Sequence, residues 1–370
     1  MIIMVEKRIG ISRDLIIHPG ETIADILEER GITQAELSMR TGVTPAYISN
    51  IVSGKKDISS NFAMSLEYAL GVPKSFWLNL QANYNAELLE INKEKTVTDD
   101  ERKVISRLSE VIKYLRRCKI LPEQQSRNDT ILSVRKIFCI SNISNLSAVT
   151  STGAFRVSSK AHIDPLVMGA WIRLCEMLGE HKPAICEHFC PNQVEELESR
   201  LKDLMLDRNA DLQKDIADVL ASYGIKFSVV KNFRGAPVHG YISMSRDGSF
   251  HVVLTIRGAY ADIFWFSLFH EIGHIVNGDV SKAGAYIDTI EGTDEAKECA
   301  ADIFARDALI NPVDFERFAA IGDYSIGSIE RFAQKQRVAP YIVIGRLQKE
   351  KKIPYSMYNN HKLRYKWADA

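Results

Sequence analysis

Residues 264–280, FWFSLFHEIGHIVNGDV, place His270, Glu271 and His274 inside an otherwise apolar run. Charged and imidazole side chains are rarely buried in such a helix unless a partner satisfies them. On a helix, positions i and i+4 share a face, so both imidazoles can reach one metal ion. Zinc suits this arrangement, because catalytic zinc sites use three protein ligands and leave a position for water. Glu271 is then placed to take a proton from that water as it attacks a carbonyl.

A third ligand must come from elsewhere in the chain. The stretch DEAKECAADIFARDALINP (294–312) is strongly helical and carries Glu298 and Asp302 four residues apart. We expect Glu298 to bind the ion and Asp302 to orient a ligand histidine. Glu295, one turn before Glu298, is the competing ligand. The ligand set favours zinc, but manganese or iron could occupy it. The alternative is that both histidines are satisfied on a purely structural helix.

Strand patterns precede this helix. The runs IKFSVVKNF (225–233), GYISMS (240–245) and FHVVLTI (250–256) alternate as strands do, and the last two flank a turn at 246–249. The three runs predict a small sheet with a hairpin beside the metal-binding helix. We expect FHVVLTI to be an edge strand that could bind an extended substrate by strand addition.

Residues 215–312 resemble the ImmA/IrrE-type metallopeptidases, a zincin family. The resemblance rests on the strands, FWFSLFHEIGHIVNGD and ECAADIFARDALINP. In that family a segment like E-x-x-A-N-x-F-A supplies the glutamate ligand, which implies this role for Glu298. Asp302 stands where asparagine is common. The resemblance implies a zinc-dependent endopeptidase, and the family's known substrates are helix-turn-helix repressors cleaved under stress.

A second pattern, ITQAELSMRTGVTPAYISNIVSGKK (32–56), predicts two short helices joined by a turn at Gly42. Thr44 caps the second helix, and Pro45 occupies its first position. This is the helix-turn-helix pattern, whose second helix reads the major groove of DNA. The side chains expected to point outward or to meet phosphates are Tyr47, Asn50, Lys55 and Lys56.

Residues 12–90 resemble HigA-type antitoxins of the phage-repressor (XRE-like) superfamily. The resemblance rests on HPGETIADILEERGITQAELSMRTGVTPAYISNIVSGKKDIS and GVPKSFWLNLQANY. It implies dimeric binding to two DNA half-sites. The contact positions that it implies are Gln34, Thr44, Pro45, Ala46, Tyr47 and Asn50. Residues 1–80 contain eight Lys or Arg and nine Asp or Glu. Phosphate attraction would therefore be weak, and a bundle that only dimerises is the alternative.

Composition and length predict a multidomain protein. The chain has 370 residues, 46% hydrophobic and 25% charged, with no net charge and no apolar run long enough to span a membrane. Without an apolar leader, we expect a cytoplasmic location. The predicted parts are an all-α helix-turn-helix domain (12–90), a helical middle region (91–220), an α+β zincin-like core (221–323) and a C-terminal helical tail (324–370). The tail's helix-turn-helix pattern at 328–354 could mimic a second DNA reader, but we expect it to pack on the core.

These patterns together predict a DNA-binding, antitoxin-like regulator that carries a zinc endopeptidase. The expected partners are double-stranded promoter DNA, a second copy of the chain, and a toxin or a repressor substrate. A rival interpretation is an antitoxin whose peptidase-like domain only senses a signal or binds a toxin. A third is that the peptidase cuts its own chain, for which the charged stretch at 91–103 is a natural site.

Overall fold

The computed structural model describes residues 16–149, 163–183, 185, 187–245, 247–256, 259–280 and 295–367, and the backbone of 155–157. The chain divides into two compact units, Met1–Asp99 and Asp100–Ala370. The described residues are mostly helical and include one small sheet. No described helix combines the length and the apolar character that crossing a bilayer requires.

The described part of the first unit has five α-helices around an apolar core. Glycines with positive φ end α1, α2 and α4 or begin the turn after α3; they are Gly31, Gly42, Gly54 and Gly71. The core includes Leu37, Ile48, Ile51, Phe62 and Trp77. The helices are α1 Pro19–Glu29, α2 Gln34–Thr41, α3 Pro45–Val52, α4 Ser60–Leu70 and α5 Lys74–Asn92.

The second unit contains eleven described helices. Six precede or interrupt the strands: α6 Asp99–Val104, α7 Ser109–Arg117, α8 Arg127–Ile137, α9 Pro165–His181, α10 Val194–Leu206 and α11 Leu212–Ala221. Five follow the strands: α12 Ala261–Val276, α13 Glu295–Leu309, α14 Pro312–Ile321, α15 Ile326–Gln336 and α16 Pro340–Lys349. Short 3-10 turns connect several of them.

A four-stranded sheet lies within this unit, in the order β1-β3-β4-β2. Strands β3 and β4 form the predicted antiparallel hairpin, whereas β2 pairs parallel to β4. The strands are β1 Phe155–Val157, β2 Ile225–Val229, β3 Val238–Met244 and β4 Phe250–Leu254. One face packs apolar side chains against α12, and the opposite face packs against α9.

The expectation that FHVVLTI forms an edge strand is wrong. This segment is β4, and it pairs with β3 on one side and β2 on the other. Its backbone groups are therefore used in two ladders. The cause is the parallel pairing with β2, which precedes β3 in the chain, so the alternation within each run does not reveal it.

The C-terminal helices pack onto the core of the second unit. Ile329 and Phe332 of α15 and Ile344 of α16 are buried in the same apolar cluster as α12. The segment after α16 then crosses the start of α12. There the Ala261 N–H donates to the Leu363 carbonyl at 2.9 Å. The Trp265 Nε1–H donates to the Tyr365 hydroxyl at 2.9 Å.

Candidate functional site

The helix-turn-helix is built from two capped helices. The Thr33 hydroxyl accepts from the Glu36 N–H at 3.1 Å and starts α2. The Thr44 hydroxyl accepts from the Tyr47 N–H at 3.2 Å and starts α3. Between them Gly42 adopts φ +72° and ends α2, which turns the chain for α3. Capping therefore fixes the start of the helix that is expected to read DNA.

The predicted DNA-contact residues are exposed, with one exception. Ile48 and Ile51 are buried on the inner face of α3. Tyr47 is half-buried: its ring lies 5.1 Å from that of Phe62. The Lys56 ammonium lies 4.0 Å from the centre of the Tyr47 ring. The exposed predicted residues are Gln34, Thr44, Pro45, Ala46, Asn50, Lys55 and Lys56.

The predicted metal ligands lie on two helices that approach each other closely. A Cβ atom at Gly273 would lie 3.2 Å from the Ala301 Cα and 3.1 Å from the Phe304 ring. The absence of side-chain bulk at Gly273, within the HEIGH motif, lets α13 pack directly on α12. This close packing places Glu298 beside His270 and His274.

Three ligand atoms converge at this crossing. His270, His274 and Glu298 each offer one atom, and these atoms lie within 4.8 Å of one another. The two Nε2 atoms are 3.1 Å apart. The Glu298 carboxylate oxygens lie 3.2 Å from Nε2 of His270 and 3.4 Å from Nε2 of His274. Within the described part of the chain this is the one such group, and Glu295, exposed in the first turn of α13, is outside it.

The other ring nitrogens face carboxylates. Nδ1 of His270 lies 2.9 Å from Asp302 Oδ1, and Nδ1 of His274 lies 2.8 Å from Asp279 Oδ2. A carboxylate fixes the proton on Nδ1, so a neutral ring directs its Nε2 lone pair toward Glu298. Two lone pairs and a carboxylate then meet in a buried space, which favours a cation. This donor set and its carboxylate support fit Zn²⁺.

The pKa shifts in the cluster also favour a bound cation. Burial lowers the pKa of His274, but the carboxylates of Glu298, Glu271 and Asp279 outweigh it and raise that pKa to about 9. Burial raises the pKa of Glu298, but hydrogen bonds and charge from His270 and His274 lower it to about 2. The site thus stabilises positive charge, which a metal ion would supply in place of a proton.

Glu271, the predicted base, is buried between α12 and the sheet. A Cβ atom at Gly240 of β3 would lie 2.2 Å from Glu271 Oε1 and 2.8 Å from its Cδ. The strand backbone therefore lies directly against this carboxylate. A larger residue at this position would force the carboxylate or the strand to shift.

Asp279 and Gly240 were not among the residues predicted from the sequence. Gly278 adopts φ +72° after α12, and the Asp279 N–H then donates to the His274 carbonyl at 3.0 Å. An acidic residue directly after a helix-ending glycine was the signal that could have indicated Asp279. Gly240 lies in a strand 31 residues before Glu271, and local sequence gives no sign of that contact.

Among the comparisons with known proteins, the family match lies within the first unit. A family model described as Helix-turn-helix matches residues 23–77. Virulence-associated protein A' of Dichelobacter nodosus is 39% identical over 69 residues, which are 18% of this chain and 60% of that protein. Virulence-associated protein I of the same organism is 30% identical over 79 residues, 21% of this chain and 73% of that protein.

Solved structures are similar at the same level of identity, and one of them is an antitoxin structure. It is described as the Pseudomonas aeruginosa antitoxin HigA with higBA promoter, and it is 30% identical to this chain. The similarity covers 22% of this chain and 89% of that one, with a TM-score of 0.21. The family model and the curated relatives establish the classification: through residues 23–77, this chain belongs to the helix-turn-helix family.

Proposed function

We propose that this chain is a DNA-binding, antitoxin-like regulator whose second unit is a zincin-like, zinc-dependent endopeptidase. The observation that carries the peptidase is the convergence of His270, His274 and Glu298 with both Nδ1 atoms fixed by carboxylates. Buried, oriented imidazoles of this kind are the usual surroundings of a catalytic metal. The substrate is a peptide bond in a regulatory protein, either a repressor in trans or this chain itself.

His270, His274 and Glu298 would hold the ion, and Asp302 and Asp279 orient the two imidazoles. When bound, zinc supplies Lewis acidity, which acidifies water and polarises a carbonyl. The Glu271 carboxylate removes a proton from the attacking water and returns it to the leaving amine. Its burial against Gly240 excludes bulk water and limits the positions that the carboxylate can adopt.

DNA binding belongs to the first unit. The support is the capped α3 with its exposed Thr44, Ala46 and Asn50 and the adjacent Lys55 and Lys56. Few of these side chains can hydrogen-bond to bases, so one copy reads little sequence. A homodimer on promoter DNA reads two half-sites, which provides the remaining sequence specificity. A toxin protein is a further partner of this antitoxin-like unit.

The first test is the metal content of the purified full-length protein. We expect about one zinc per chain, lost in His270→Ala and in Glu298→Ala. Glu295→Ala is the matched control, because it removes an exposed carboxylate from the same helix and should keep the metal. Absence of metal from the wild type, even after zinc is supplied, would refute the peptidase. The second unit would then be a non-catalytic sensor or toxin-binding module.

Catalysis is tested with Glu271→Gln, which keeps the size of the side chain but cannot accept the proton. New protein N-termini are labelled in cells that express the wild type and in cells that express this variant. Termini present only with the wild type identify the substrate, including this chain if it cuts itself near 91–103. Identical termini in both, with zinc bound in both, would exclude the proposed base.

A further inference from the structure

Strand β3 is the part of the sheet that touches the candidate base. The contact is made by backbone, since a Cβ atom at Gly240 would overlap the Glu271 carboxylate. Any extended segment that pairs at Gly240 with the side of β3 that faces away from β4 is therefore brought next to Glu271. Neighbouring strands in a sheet are separated by about 4.8 Å.

That side of β3 is already paired with a segment of this chain. Strand β1 runs antiparallel to β3, with Phe155 opposite Tyr241 and Arg156 opposite Gly240. Arg156 is thus opposite the residue that touches Glu271. The ladder covers three residues, and its register shifts between Arg156 and Val157.

The outer strand at the opposite end of the sheet has a different relation to the base. Strand β2 pairs with β4, and β4 separates it from β3. A peptide added beyond β2 would lie about 15 Å from β3, at three strand spacings. Among the described strands, the side of β3 that β1 covers, which would be a sheet edge without β1, is therefore the one that adjoins Glu271.

We propose that this edge of β3 is the docking edge for an extended peptide, and that β1 is its tethered occupant. The functional meaning of this inference rests on the proposed peptidase. Strand addition uses main-chain hydrogen bonds, so a peptide and β1 compete for the same backbone groups. A tethered segment competes at an effective concentration in the millimolar range. Substrate therefore pairs well only after β1 leaves.

The test measures binding rather than hydrolysis. A fluorescent peptide with the sequence of residues 150–162, TSTGAFRVSSKAH, is titrated into full-length Glu271→Gln protein with and without Arg156→Pro. Proline removes an N–H and fixes φ, which weakens β1 pairing. We expect the peptide to bind at least about tenfold more tightly when β1 is weakened, because its competitor is lost. The control peptide carries proline in place of the arginine and should bind at least tenfold more weakly.

A second variant, Phe155→Gly with Val157→Gly, loosens β1 without proline and covers the case in which Arg156→Pro does not fold. Equal peptide affinity with and without the β1 changes, or no binding by any of these proteins, would overturn the proposal. Zinc content is measured on the same samples. Tighter peptide binding without zinc would leave the docking edge standing while the peptidase fails. Bound zinc with unchanged peptide affinity would refute the docking edge alone.

Discussion

Asp279 holds His274 from two sides: its N–H donates to the His274 carbonyl at 3.0 Å, and its Oδ2 lies 2.8 Å from Nδ1. Asp302 makes the equivalent side-chain contact to His270. Carboxylates in these positions increase the basicity of the ligand and fix the orientation of its ring.

We predict that Asp279→Asn and Asp302→Asn each weaken zinc affinity by about 10- to 100-fold. Competition with a chromogenic chelator measures this. Asp314→Asn is the control, because Asp314 of α14 is ion-paired with Lys335 of α15 and not with a ligand histidine. If all three variants bind zinc as the wild type does, the two carboxylates do not support the metal.

The contact between Gly240 and Glu271 gives a second prediction. Gly240→Ala forces the carboxylate or the strand to move and should cost about 1–3 kcal/mol of unfolding free energy, as overpacking does. Glu271→Ala in the same chain should recover part of that cost, because the added methyl group then has space. Gly327→Ala on α15 is the control: its Cβ would meet only an Arg331 Nη1 atom at 3.6 Å, so it should be neutral or stabilising. Strictly additive effects of the first two changes would contradict the contact.

Local patterns in the sequence predicted the helical elements well. The apolar run with HEIGH predicted α12, and threonine, proline and glycine marked the ends of α2 and α3, because caps and turns act over a few residues. The β3–β4 hairpin was also predicted, since its two strands are joined by a short turn.

Long-range pairing could not be predicted in the same way. Strand β1 lies more than 80 residues before its partner β3 and has only three paired residues, too few for a pattern. The parallel pairing of β2 with β4 was missed because β3 lies between them in the chain, and the alternation within each run does not show which runs pair. As a result, the edge strand was assigned to the wrong segment. The ligand assignments rest on motif and spacing and stay predictions until the metal is measured.

A third prediction concerns the DNA-binding unit. The Lys56 ammonium lies over the Tyr47 ring, so the lysine side chain is already partly ordered. It therefore loses less conformational entropy when it binds a phosphate. Lys56→Ala and Lys55→Ala should each reduce the salt dependence of duplex binding by about one counterion, uniformly across sequences. Lys93→Ala, at the end of α5, is the control. If the salt dependence of duplex binding is unchanged in all three variants, other residues make the phosphate contacts.

Tyr47 itself should act through Lys56. Tyr47→Phe keeps an aromatic face and should bind DNA within about twofold of the wild type. Tyr47→Leu removes it and should weaken binding by about two- to fivefold, the effect of an exposed cation–π contact of 0.5–1 kcal/mol. Equal affinity of the two variants would exclude this role.

A fourth prediction is a pH dependence of stability from the buried His251 on β4. Burial, and then the charges of Lys182 and Lys226, lower the pKa of His251 to about 3, whereas an unfolded histidine titrates near 6.5. Above pH 6.5 His251 is neutral in both the folded and the unfolded state, and its contribution to stability is fully present. As pH falls from 6.5 toward 3, only the unfolded chain gains the proton, so stability is lost at up to about 1.4 kcal/mol per pH unit.

Urea unfolding between pH 7.5 and 4.5 checks this. The free energy of unfolding of His251→Gln should fall less steeply across that range. The difference in slope from the wild type should correspond to about one bound proton. Ser228→Ala is the matched control: it removes the hydroxyl that lies 2.9 Å from His251 Nε2 but leaves the imidazole buried, so the steep dependence should persist. A slope in His251→Gln as steep as in the wild type would assign the titration to other groups.

The C-terminal segment over α12 also has a consequence for biosynthesis. Trp265 and its partner Tyr365 are 100 residues apart in the chain. At about 5–20 residues per second, a ribosome needs roughly 5–20 s to translate from one to the other. During that interval the helix that carries His270 and Glu271 emerges without the segment that later crosses its start. The part of the chain that carries the candidate metal ligands therefore lacks this contact until Tyr365 has been translated, long after the residues of the first unit have been made.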